Sequence, residues 1–180
     1  MTVPVPVPVT VKVTVPVRIA VLTVSDTRDL ASDTSGSILA DRIEAAGHIL
    51  AGRRIVPDDK AAITDAASAW IADPQVDVIL STGGTGLTGR DVTPEAMMPL
   101  FDKHIDGFSA MFHHVSLGTV GLSTMQSRAC AGVANGTFIF CLPGSNGAVK
   151  DGWDKVIAPQ LDRATRPCNF VEIMPRLTER

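Results

Sequence analysis

The chain has 180 residues, 45% hydrophobic and 19% charged, enough apolar material for one sizeable domain, which excludes wholesale disorder. Lys and Arg total 16 against 19 Asp and Glu, a net charge of −3, and the aromatic residues are six Phe and two Trp with no Tyr. A mildly acidic, aromatic-poor chain argues against sequence-blind nucleic-acid binding by charge and stacking.

Cys130, Cys141 and Cys168 are an odd number with no CxxC, which fits neither a disulfide framework nor a zinc ribbon. A reducing cytoplasm is the expected setting. No apolar run approaches the roughly 20 residues needed to span a bilayer, and no basic segment leads into an apolar stretch at the N-terminus, so neither a membrane span nor a secretory signal is expected.

Residues 1–17 read as an arm. Val occupies every odd position from Val3 to Val17, and Pro4, Pro6, Pro8 and Pro16 stand among the even ones. An extended chain puts every Val on one face, and the prolines remove donors from one edge only. This is the pattern of a one-sided edge strand, expected to lie against a neighbouring subunit; a loose tail fits it equally.

The body starts at Arg18, where a near-continuous apolar run to Ser25 predicts a strand covered on both faces. Asp33 or Thr34 can cap a helix with Leu39, Ile43 and Ala46 at i, i+4, i+7, closed by Gly47. Ile49 to Val56 predicts a second strand. Asp58 or Asp59 can cap a second helix with Ile63, Ala67 and Trp70 inward, and Val76 to Ser81 predicts a third strand. Further on, Thr93 is the expected N-cap of a short helix over 94–100 with Pro94 first, and a helix is expected around 105–115. Asn135-Gly136 between two apolar runs predicts a type I′ hairpin. A helix over 146–161 follows, with Trp153, Val156 and Ile157 inward, and then a tail over 167–180. The order predicts an α/β fold: a three-layer α/β/α sandwich whose mostly parallel sheet carries one antiparallel strand. The domain is expected over 18–170, with the arm before it and a tail over 171–180.

The most informative segment runs from Ser81 to Ala96. Thr82, Gly83, Gly84, Thr85 and Gly86 leave the carboxyl end of a buried strand, where ligands of open α/β sheets bind. Glycines let backbone amides converge into an anion cradle. The run from Gly84 to Gly89 formally matches G-x-G-x-x-G, but the helix signal waits until Thr93-Pro94 and the strand is the third, so a nicotinamide-dinucleotide site is not favoured. No Gly-Lys-Ser/Thr follows, so the Walker pattern fails. Asp91 can be a helix-flanking carboxylate or a magnesium ligand beside a phosphate. Asp58, after the second strand, falls on the same sheet edge and is a cap or a second magnesium ligand.

Three more turns face that edge. The first offers Thr23, Ser25 and Asp26; Thr34-Ser35-Gly36 opens the first helix; Pro143-Gly144-Ser145 precedes another, with Lys150 just inside it. Together they predict a wide polar cleft for an anionic ligand. No G-x-S-x-G occurs, and His48, His104, His113 and His114 show no H-E-x-x-H spacing.

Thr82-Gly83-Gly84-Thr85-Gly86, then Arg90-Asp91-Val92-Thr93-Pro94-Glu95-Ala96, and later Leu142-Pro143-Gly144-Ser145 resemble the MoaB/MogA family of molybdenum-cofactor biosynthesis proteins. The resemblance covers about residues 18 to 170 and includes Gln126-Ser127-Arg128; the end of the chain, from Ile157 to Phe170, is more similar to the MoaB branch. It implies binding of molybdopterin and, in active members, its adenylylation by Mg-ATP with release of diphosphate. It matches the family's two key acids to Asp58 and Asp91, as catalytic and magnesium-holding residues. Some members lack the first acid; this chain has both, so activity is expected. Ser127, Ser145 and Ser25 become pterin or phosphate contacts, along with Thr93 and the cradle. The resemblance also implies a homotrimer or homohexamer. Three other readings stand beside it: a non-catalytic molybdopterin-binding scaffold of the same fold, a nicotinamide-dependent oxidoreductase, and a purely structural oligomer.

Overall fold

The apolar run that opens the body forms β1, Arg18–Val24, with every residue after Arg18 buried. The computed structural model describes residues 15–179, so most of the Val/Pro arm lies outside the described residues. Its last members keep the expected alternation: Val15 is half-buried, Pro16 exposed and Val17 buried in the core.

The chain continues through α1 (Thr34–Ala45), β2 (Ile49–Val56), α2 (Lys60–Ile71), β3 (Val78–Thr82), α3 (Thr93–Met97), β4 (Lys103–His104), α4 (Asp106–Val120), β5 (Cys130–Ala134), β6 (Thr137–Leu142), α5 (Asn146–Gly152), α6 (Ala158–Gln160) and α7 (Phe170–Ile173). Local chemistry sets the boundaries. Asp33 caps α1 by accepting the amide of Gly36 at 2.9 Å, and Gly47, at φ +89°, ends it. Asp59 caps α2 by accepting the amide of Ala62 at 2.9 Å, which frees Asp58 from capping. Asn135 and Gly136 both have positive φ, +46° and +82°, as the I′ turn between β5 and β6 requires.

The sheet order is β2-β1-β3-β6-β5-β4. Strands β2, β1, β3 and β6 run parallel, and β5 opposes both β6 and the two-residue β4. The expected mostly parallel sheet with one opposed strand is therefore present; β4 was not anticipated. Alternate residues of each central strand feed two cores. Ile19, Val21, Leu80 and Phe140 pack under α1, α4 and α5 with Leu39, Phe112 and Trp153. Ala20, Leu22, Ile79 and Ile139 pack under α2 and α3 with Ile63, Trp70 and Met97. Each fully buried large side chain stabilises the fold by roughly 1.5–3 kcal/mol relative to exposure.

Two expectations change. Thr93 does not cap α3: Val92 precedes the helix and Thr93 is its first residue, its hydroxyl donating to Gly83 O at 2.9 Å instead. The helix expected over 146–161 is broken by a π-helical turn at Trp153–Ile157, between α5 and α6. The tail packs on the body, with the Phe170 ring stacked 4.8 Å from Phe138 and Val171 buried in the first core.

The topology also decides where a cleft opens. The chain leaves β1 toward β2 on one side and leaves β3 toward the other side of the sheet. Loops that diverge from adjacent parallel strands leave a crevice between them, beyond the strands' carboxyl ends. That crevice lies between β1 and β3, directly at the glycine-rich turn.

Candidate functional site

The turn after β3 is stitched to its surroundings on three sides. Gly83 has φ +102°, and a Cβ there would run into Val24 O at the end of β1, so the close approach of the two strand ends requires glycine. Gly83 N donates to Leu142 O at 3.0 Å, and Thr82 Oγ1 donates to Pro143 O at 3.1 Å, which ties the turn to the end of β6. Thr93 N donates to Gly84 O at 2.9 Å, joining it to α3.

Asp91 folds back over this turn. Its Oδ2 accepts the Thr88 amide at 2.9 Å and the Thr88 hydroxyl at 2.6 Å. A Cβ on Gly86 would lie 2.7 Å from the same oxygen. Burial pushes the Asp91 carboxyl up, but the Thr88 hydroxyl and amide outweigh it and hold the group below the usual range.

Asp58 comes from the other side. Its Oδ2 accepts the Asp26 amide at 3.1 Å, and its own amide donates to Asp26 Oδ1 at 3.0 Å. Asp58 Oδ1 lies 3.1 Å from where a Gly84 Cβ would stand. Burial and then the Asp26 charge push the Asp58 carboxyl up, with a smaller push from Asp91. Arg90 takes up the Asp26 charge instead, with Nε and Nη2 at 2.9 and 2.6 Å from its Oδ2. The two acids named in advance thus flank one glycine turn, each half-exposed at the rim. Among the described residues no cluster of three or more His, Cys, Asp or Glu could hold a metal ion. Two carboxylates without a third are the donor set that suits magnesium, which keeps several waters and takes its remaining ligands from phosphate oxygens.

A cavity of about 680 Å³ adjoins the turn. Gly83, Gly84, Thr85, Gly86 and Asp91 line one wall, and Pro143, Gly144, Ser145 and Ser127 contribute to others. The hydroxyl of Thr85 is buried and has no hydrogen-bond partner among the described residues. A hydroxyl left so at a cavity wall is an available donor for a bound anion.

The other expected site residues stand behind this wall. Thr23, Ser35 and Gly36 converge on the buried Asp33 carboxylate: Thr23 Oγ1 donates at 2.7 Å, Ser35 Oγ at 3.3 Å and Gly36 N at 2.9 Å. Arg53 of β2 donates to the same group at 2.8 Å. This knot locks the β1–α1 turn. Ser25 Oγ accepts the amides of Thr27 and Arg28, both at 3.3 Å, shaping the same loop. Thr82 and Thr93 spend their hydroxyls inside the fold. Ser145 Oγ caps α5 through Ala148 N at 3.2 Å while still bordering the cavity.

Two arginines were missing from the expected set. Arg28 lines the cavity, held by Ser35 Oγ at 2.7 Å, and its place beside Ser25 and Asp26 at a strand end was a usable signal for an anion partner. Arg128 Nε donates to Gly86 O and Nη2 to Asp91 O, both at 2.8 Å, and Nη1 pairs with Glu95. It clamps the glycine turn from outside. The far wall, from Phe112, Thr119 and Thr124 of α4 and the 3-10 turn at 121–126, gave no advance signal.

The comparisons with known proteins meet this geometry. A family model described as "Probable molybdopterin binding domain" matches residues 20–163. The chain belongs to the MoaB/MogA family of molybdenum-cofactor biosynthesis proteins. It is 52% identical over 153 residues to molybdenum cofactor biosynthesis protein B of Escherichia coli (strain K12), covering 85% of this chain and 90% of that one. The Bacillus subtilis (strain 168) protein of the same name is 44% identical over 150 residues, covering 83% and 88%. A crystal structure of molybdenum cofactor biosynthesis protein B superposes with TM-score 0.79 at 43% identity, over 81% of this chain and 91% of that one. The tungsten cofactor synthesizing protein MoaB from Pyrococcus furiosus superposes with TM-score 0.68 at 35% identity, over 81% and 92%. Family membership accounts for the three-layer fold and ties the chain to molybdenum-cofactor biosynthesis.

Proposed function

We propose that the chain binds molybdopterin and adenylylates it: the pterin's terminal phosphate attacks the α-phosphate of Mg-ATP, and diphosphate leaves. The observation that carries this reading is the placement of Asp58 Oδ1 and Asp91 Oδ2 over Gly84 and Gly86 of one turn that also lines the cavity. Asp58 and Asp91 would hold magnesium, which when bound spreads the phosphate charge and helps the diphosphate depart. The backbone of 83–86 and the Thr85 hydroxyl would cradle phosphate oxygens. Arg28 and Lys150, which both line the cavity, would supply positive charge; Lys150 has no ion-pair partner among the described residues. The attacking phosphate is already anionic, so no general base is needed, and positioning with charge stabilisation carries the rate.

We also assign this activity to a homotrimer or homohexamer in the cytoplasm. Met111, Leu117, Val120, Leu122 and Met125 of α4 and the turn after it are each at least 50% exposed, an apolar face suited to a second copy. Among the described residues no helix is long and apolar enough to cross a membrane, and all three cysteines are free. The test is incubation with molybdopterin and Mg-ATP, followed by detection of adenylylated pterin and diphosphate. Pterin binding with no diphosphate released would support the non-catalytic scaffold instead.

A further inference from the structure

We propose that Cys130 and Cys141 form a peroxide-responsive thiol pair, oxidised reversibly to an intramolecular disulfide. The proposal is independent of the adenylylation reading. It rests on register: in the antiparallel β5–β6 ladder Cys130 stands directly opposite Cys141. Directly opposed antiparallel residues have Cα atoms about 4.5 or 5.5 Å apart, according to the type of pair. Both separations fall inside the roughly 4.4–6.8 Å a disulfide spans. Opposed residues also project to the same sheet face, and both cysteines belong to the core under α2 and α3.

The surroundings give the two thiols different parts. Cys130 is only partly buried and borders a second cavity, of about 570 Å³, with Arg128, Glu95 and His104. An oxidant the size of hydrogen peroxide can reach it there. Cys141 is fully buried. The neighbouring Cys141 thiol is the largest influence that lowers the Cys130 thiol, against burial and with help from the Arg128 charge. The same contact and burial push Cys141 up. Beyond Cys141 in the same cross-strand row stands Ser81, whose buried hydroxyl works weakly the other way and lowers the Cys141 thiol.

The chemistry balances with hydrogen peroxide as the oxidant. The Cys130 thiol gives up its proton and the thiolate attacks one peroxide oxygen; the O–O bond breaks, the leaving hydroxide takes up that proton as water, and Cys130 becomes a sulfenic acid. Cys141 then attacks the sulfenic sulfur; an S–S bond forms, the S–O bond breaks, and the Cys141 proton departs with the hydroxide as water. The two thiols lose two electrons, the peroxide gains two, and two waters result. Such transient pairs are the usual form of disulfide in a reducing compartment.

The sequence supplies a direct readout. No Lys or Arg lies between Arg128 and Lys150, so trypsin releases both cysteines on one peptide, 129–150, while Cys168 falls on another. The full chain is treated with hydrogen peroxide, its free thiols are alkylated, and it is digested without reduction. The expected result is peptide 129–150 unalkylated and two hydrogens lighter, restored to two alkylated thiols by dithiothreitol. Cys168→Ser should leave this unchanged and Cys130→Ser should abolish it. Peptide 129–150 with both thiols alkylated after peroxide, oxygen atoms accumulating on Cys130, or a bond joining either residue to Cys168 would each overturn the proposal. The wild-type map decides the question even if a variant folds poorly.

Discussion

Asp26 and Asp58 grip each other's backbones, each carboxylate accepting the other's amide, at 3.0 and 3.1 Å. Two acids are thereby held side by side, and among the described residues only Asp26 has an arginine in ion-pair contact to neutralise it. Asp58 is left as a carboxylate whose ionised form the fold disfavours, as expected of a group kept for a cation. Asp58→Asn keeps an oxygen for the Asp26 amide and removes the charge. The apo protein should then melt at an equal or higher temperature near neutral pH, while adenylylated pterin falls below detection. Full turnover in this variant, or in Asp91→Asn, would refute the roles proposed for these acids.

Gly86 and Gly89 differ by what surrounds them. A methyl on Gly86 would stand 2.7 Å from Asp91 Oδ2, whereas one on Gly89 would meet nothing within 4 Å. Displacing a positioned group by about 1 Å costs on the order of 100-fold in rate. Gly86→Ala should lose about that much turnover and Gly89→Ala less than about twofold, measured as diphosphate release.

Arg128 makes a planar fork that lysine cannot reproduce, bridging Gly86 O and Asp91 O while pairing with Glu95. Arg128→Lys should lower the free energy of unfolding by about 1–2 kcal/mol in urea titration. Turnover should fall as well, because the turn loses its outer support.

His48 ties the start of the body down: its Nδ1 accepts the Val17 amide at 3.2 Å, and its Nε2 is buried without a partner. Burial pushes the imidazole pKa down, against a weaker pull from Asp162. The folded state therefore binds the proton less readily than the unfolded chain. Stability from this residue is complete above its unfolded pKa, about 6.5, and is lost as the pH falls through the lower folded value. The urea midpoint should drop from pH 7 to pH 5, and His48→Asn should flatten that slope.

The glycine turn was legible because a glycine run after a buried strand has few structural uses. The flanking positions of Asp91 before α3 and of Asp58 after β2 were legible too, but local pattern left each open as a helix-flanking group, and only the family resemblance paired them. The Asp33 knot was not legible as such. Its decisive partner, Arg53, comes from the next strand, and nothing local to Asp33 announces a buried ion pair. Pro94 marks Thr93 as a cap in the sequence, but Gly83 O, 10 residues back, takes its hydroxyl instead. The far wall escaped notice because the apolar stripe of α4 says that the helix packs, not which strand ends it packs beside. Strand β4, two residues long, leaves no period to detect.

Strand β6 comes late in the chain yet sits in the interior of the sheet, between β3 and β5. As the chain emerges from the ribosome, β1, β2 and β3 can assemble first, but their exposed flank must wait for Thr137–Leu142 to arrive. Only then does Leu142 O meet Gly83 N and the glycine turn gain its last anchor. Ligand-binding competence should therefore appear only once residue 142 has been made and placed, and no fragment ending before residue 142 should acquire it.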